Sequence, residues 1–162
     1  MRSGPVIIGF DRAPAAERAV REAAALFAPR RALVVVVWEA GRAFEAATLP
    51  VKVLELPATL DVRGAFEAEK AAYEAAERVA EQGAALAREA GLEADGLAVA
   101  DEATVAETLG RVASELEAPA LVIGDQRHRD LRRLALGRTL SGLLRQAPCP
   151  VLVCGAGPDD ND

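Results

Sequence analysis

Histidine and cysteine are nearly missing from this chain: one histidine, His128, and two cysteines, Cys149 and Cys154, among 162 residues. That is too few for a structural zinc site, which takes about four such ligands. The two cysteines fall in one expected strand, 149–154. Their odd separation points them to opposite faces, so they are poorly placed to bridge each other and read as reduced, half-buried thiols. Lysine is scarce too, with Lys52 and Lys70 the only two. The net charge of −6 argues against general nucleic-acid binding, which relies on basic surface to neutralise phosphate. No apolar run reaches the roughly 18 residues of a membrane span. Met1-Arg2-Ser3-Gly4-Pro5 leads straight into a short apolar strand without the h-region of a signal peptide, and a cytoplasmic protein is expected. Catalytic motifs are missing as well. There is no Gly-x4-Gly-Lys-Ser/Thr, no Gly-x-Gly-x-x-Gly after a strand and no nucleophile elbow. A lone His128, read as a solvent-facing loop residue, does not readily supply a triad. Enzymatic chemistry has little support.

What is present is an alternation of strands and helices. Pro5–Phe10 is a continuous apolar run, as for a parallel strand buried on both faces. A helix follows with Pro14 in its first turn and Val20, Ala23, Ala24 and Phe27 on one stripe. Ala32–Trp38 is a second, β-branched strand. Residues 40–63 show no period and are punctuated by Pro50 and Pro57; a long connection is expected there. A long helix should run from Gly64 to about Ala90, with Tyr73 and Phe66 as core anchors, Glu74 and Arg78 as an i,i+4 pair, and Gly91 as its stop. Leu97–Ala100 suggests a weaker third strand. Thr104 and Glu107 form a candidate capping box for a helix reaching about Glu117. Ala120–Gly124 is the fourth strand and Cys149–Cys154 the fifth, with a helix from about Gly137 to Gln146 between them. The pattern is that of a single α/β domain over residues 1–155, a doubly wound parallel sheet with helices on both faces. Residues 156–162 are expected to form a disordered acidic tail.

Ligands of such sheets bind beyond the carboxyl ends of the strands, where the strand order reverses. Two strand ends are chemically unusual: Gly9-Phe10-Asp11, and Ile123-Gly124 followed by a charged loop and a helix opening at Gly137. Glycine at a strand end permits close backbone approach, and a helix N-terminus presents N–H groups to anions. Arg127, Arg129, Arg132, Arg133 and Arg138 crowd the second stretch.

The segments Leu121–Gly124, Leu131–Gly137 and Leu144–Val153, with the opening Val6–Asp11 and Ala16–Ala19, resemble the universal stress protein family over nearly the whole chain. The resemblance implies an adenine nucleotide alpha hydrolase-like fold with a five-stranded sheet in the order 3-2-1-4-5, and homodimerisation through the last strand. It also implies that ATP or another adenine nucleotide is a candidate ligand, through a Gly-x2-Gly-x9-Gly-Ser/Thr motif. By that resemblance Asp11 contacts adenine and Val37 lines its pocket. Gly124 and Gly137 match the motif. Arg127 replaces the second glycine and Arg138 the hydroxyl residue, with Thr139 offering a hydroxyl one place late. Arg12-Ala13 replaces Gly-Ser, and Asp130 stands at a further position that is often glycine.

Three readings of these changes stand open. Arg127 or Arg138 fills the phosphate region and pairs with Asp11, Asp125 or Asp130; or the arginines clamp an anionic ligand; or they are solvated surface charges. A cation at a helix N-terminus costs roughly 0.3–1 kcal/mol, so Arg138 should have an acidic partner or a bound anion. The expectation is a cytoplasmic stress-response or regulatory protein with a remodelled, ATP-independent site. The alternative is an adenine-nucleotide binder with at most weak ATP hydrolysis.

Overall fold

A computed structural model describes residues 2–42, 62–101, 103–125 and 137–155. Five strands, β1 (Val6–Gly9), β2 (Arg31–Trp38), β3 (Glu93–Ala100), β4 (Leu121–Asp125) and β5 (Val151–Gly155), form one sheet in the order β3-β2-β1-β4-β5. Every pairing is parallel, with Ile7 opposite Leu33 on one side and Leu121 on the other. Between the strands run α1 (Pro14–Phe27), α2 (Val62–Glu89), α3 (Val105–Glu115) and α4 (Arg138–Gln146). The chain winds outward from β1 to β3, returns to β4 beside β1, and continues outward the other way. Right-handed crossovers in opposite directions put α1 and α2 on one face and α3 and α4 on the other.

Strand alternation divides the apolar residues between two cores. Val6, Ile8, Val34 and Val36 pack with the alanines of α1 and α2, while Ile7, Val35, Leu121 and Ile123 pack with Leu109, Val112, Leu140 and Leu143 of α3 and α4. Ile7, Ile8, Leu121 and Val122 are fully buried, each contributing about 1.5–3 kcal/mol of apolar transfer. The α2 face is alanine-rich because the helix lies close on the sheet: a Cβ on Gly96 would stand 2.7 Å from the Ala80 carbonyl carbon.

The elements end where local chemistry ends them. Helix α2 stops with Gly91 at φ +105°, its N–H donating to Arg88 O and the Leu92 N–H to Ala87 O, at 3.0 Å each. Thr104 caps α3 by accepting the Glu107 N–H at 3.1 Å, and its hydroxyl donates to Glu107 Oε2 at 3.0 Å.

Several expectations change. β3 begins four residues earlier than expected, at Glu93, because an edge strand tolerates Glu93 and Asp95 on its exposed side. Phe66 and Tyr73 are not core anchors: they are 63% and 40% exposed, since α2 buries its small-residue face at Ala76, Ala80, Ala84 and Ala87. Tyr73 instead tilts against Trp38, ring centroids 5.8 Å apart. Glu74 pairs with Lys70 at 3.8 Å rather than with Arg78. Cys149 precedes β5 rather than lying in it. The two thiols are free and do belong to opposite cores. Residues 43–61 and the 156–162 tail lie outside the described residues.

Candidate functional site

At the carboxyl ends of β1 and β4, where the winding reverses, a cleft of about 670 Å³ opens. Its apolar wall is Val35, Val37, Val105, Leu109 and Ile123, and its polar rim is Asp11, Asp125, Arg138 and Thr139. Val35 and Val37 reach it together because they are two apart on one strand.

Its floor exists because the backbone comes unusually close. A Cβ on Gly124 would lie 2.3 Å from the Ala15 carbonyl, so the start of α1 rests on the end of β4 and brings Asp11 beside it. Asp11 Oδ1 accepts the Ala13 N–H at 2.9 Å. This local turn holds Arg12 at φ +64°, a conformation that costs a non-glycine residue about 1–2 kcal/mol. Ala13 sits at the N-cap of α1 with no side-chain hydrogen bond to offer, and Pro14 follows in the first turn.

Helix α4 opens at the opposite rim. Its N-cap is Gly137, which supplies no side-chain acceptor; the first intrahelical bond runs from Ser141 N–H to Gly137 O at 2.9 Å. Among the described residues the N–H groups of Arg138, Thr139 and Leu140 have no partner, the ordinary state of a helix start without a cap. The Arg138 side chain is exposed and forms no ion pair with Asp11 or Asp125. Of the filled-pocket expectation, a pairing of Arg138 with Asp11 or Asp125 is not present; one with Asp130 lies outside the described residues. Arg127 and Asp130, the other half of that expectation, lie outside the described residues, as does His128.

The arrangement is suited to binding. It offers an apolar slot, a carboxylate at one end, and at the other a cluster of N–H donors with a guanidinium. Among the described residues no three His, Cys, Asp or Glu side chains are grouped to hold a metal. Both thiols are pushed above their ordinary value of 9.0 by burial; Arg2 partly offsets this at Cys149, while Glu22 adds to it and Arg18 opposes it at Cys154. Neither is an activated nucleophile.

Six of the seven residues singled out from the sequence, Asp11, Val37, Gly124, Gly137, Arg138 and Thr139, line this one cleft. Sequence reasoning missed Val35, Val105, Leu109 and Ile123 as wall residues. Val35 was findable from the i,i+2 relation to Val37, and Val105 from its place directly after the Thr104 cap.

The profile of the universal stress protein family matches residues 3–155. The chain belongs to that family. Solved universal stress proteins share its fold. One from Archaeoglobus fulgidus is 19% identical, with a TM-score of 0.68 over 93% of this chain and 98% of that one. A family member from Burkholderia pseudomallei is 24% identical, with a TM-score of 0.64 over 96% and 98%. An Arabidopsis thaliana universal stress protein with AMP bound is 12% identical, with a TM-score of 0.63 over 98% and 95%. No curated protein matches the chain. As in other universal stress proteins, the sheet order is 3-2-1-4-5, and no helix among the described residues is long and apolar enough to cross a membrane.

Proposed function

We propose that this universal stress protein is a cytoplasmic regulatory protein that binds an adenine nucleotide in the β1–β4 cleft. The observation that carries the reading is the start of α4, where among the described residues three N–H groups have no partner and Arg138, on the rim of an apolar slot, has no ion pair. A helix N-terminus of this kind favours an anion, a guanidinium suits phosphate, and the slot lies within the roughly 300–1,000 Å³ range of small-ligand sites. The AMP-bound Arabidopsis protein of the same fold supports adenine as the base. In this reading the purine rests between Val37 and Val105, Asp11 accepts from it, and the phosphate meets Arg138 and Thr139. The role is binding, with ATP turnover slow at most.

Isothermal titration with AMP, ADP and ATP tests it. Saturable binding by the natural chain, lost when Val37→Trp fills the slot, supports the reading. Silence toward all three nucleotides overturns it and returns the nucleotide-independent cleft.

We propose further that the chain is a homodimer through β5. Of the two sheet edges, β3 is partly guarded: Arg88 Nη1 donates to the Ala94 carbonyl at 2.9 Å, one of the groups turned away from β2. β5, with half-buried Val151, Leu152 and Val153, carries no such guard among the described residues, and an apolar open edge favours pairing. Light scattering should give twice the 17.0 kDa chain mass; a monomer at micromolar concentration would contradict it.

A further inference from the structure

We infer that the cleft takes its nucleotide as the metal-free anion, the Arg138 guanidinium neutralising phosphate where a divalent cation would otherwise do so. The inference rests on the nucleotide reading above and concerns how that ligand's charge is met.

Arg138 is the first residue of α4 and lines the cleft. A cation is disfavoured at the positive end of a helix, yet no acid among the described residues offsets this one. Among the described residues its charge, together with the N–H groups beside it, is a positive field at the rim of the cleft with no acid paired to it. Magnesium is held in nucleotide sites by one or two carboxylates together with the phosphates. Of the two carboxylates of this cleft, Asp11 already accepts the Ala13 N–H, and Asp125 has an interaction of its own. No third ligand is grouped with them among the described residues. A magnesium ion on the phosphates would also compete with the guanidinium for the same oxygens and be repelled by it.

The test is titration of ADP and ATP into the natural chain and into Arg138→Ser, each in excess EDTA and in excess magnesium chloride. The natural chain should bind at least as tightly in EDTA as in magnesium. Arg138→Ser should lose about tenfold or more in EDTA, the scale of one charge-assisted contact, and recover part of it with magnesium. Arg138→Lys, which keeps the charge without the planar fork, should fall between. Circular dichroism checks that both variants keep the fold. Binding by the natural chain only with magnesium, or about tenfold tighter with it, overturns this inference and leaves the nucleotide reading standing. So does an Arg138→Ser variant equal to the natural chain in EDTA. Absence of binding in both conditions overturns the nucleotide reading itself, and this inference with it.

Discussion

Arg12 occupies the left-handed region at φ +64°, held there by the Asp11 carboxylate reaching over it to the Ala13 N–H at 2.9 Å. Nothing in that turn depends on the arginine side chain. Arg12→Gly removes the steric cost of the conformation, about 1–2 kcal/mol, while adding backbone entropy to the unfolded chain, about 0.5–1 kcal/mol. The expected outcome is a net gain of up to about 1.5 kcal/mol, read as a higher midpoint in urea unfolding; a loss of stability would mean that Arg12 has a favourable contact elsewhere. This cost was not anticipated from the sequence. The family resemblance marked Arg12 as an unusual residue, but the positive φ itself shows only in the folded Asp11–Ala13 turn.

Among the elements, α3 and α4 show how a helix start decides what the cleft can do. Both begin at the sheet's carboxyl edge, and they begin differently. Thr104 satisfies one donor of α3 internally. Gly137 offers α4 no such cap. Thr104→Ala should therefore destabilise the protein by about 1 kcal/mol, checked by thermal unfolding, without changing which anions bind. An unchanged melting temperature would show that α3 is held by its buried Leu109 and Val112 alone. The capping box was legible because its chemistry is local: acceptor and donor lie three residues apart. The register of β3 was less legible. Glu93 and Asp95 break the apolar run, and only the pairing of Arg31 with Glu93 through Trp38 with Ala100 extends the strand across them.

For the molecule as a whole, alkaline stability follows from its unusual basic composition. Of 19 lysines and arginines only Lys52 and Lys70 are lysines, and arginine keeps its charge throughout. The groups left to titrate between pH 9 and 11 include Cys149, Cys154 and Tyr73. Burial raises both thiols, and the hydrogen bond and charge of Glu77 raise Tyr73, whose hydroxyl donates to that carboxylate at 2.6 Å. A raised value means the folded state holds its protons longer than the unfolded chain, so stability falls as pH rises. The thiol contribution is fully present below the ordinary value of 9.0 and is lost as pH climbs through the folded values. Urea unfolding from pH 8 to 11 should show this decline, and Cys149→Ala/Cys154→Ala should flatten it. Parallel profiles would assign the decline to other groups.

The sequence by itself determined the element order, the two faces of each strand and the positions of the caps. These depend on residues one to four apart, whose periodicity is set by backbone geometry. It also placed Asp11, Gly124 and Gly137 near one another, because the strand ends of a doubly wound sheet converge, while Val37 came from the family resemblance. The tertiary structure decided what periodicity leaves undetermined. Tyr73 and Phe66 are large and apolar enough for a core, but α2 lies too close to the sheet to admit them, and alanines take those places. Arg138 could have closed the cleft by pairing with Asp11 or Asp125. It does neither, because an ion pair is fixed by distance in space, and distance between remote residues is what folding supplies.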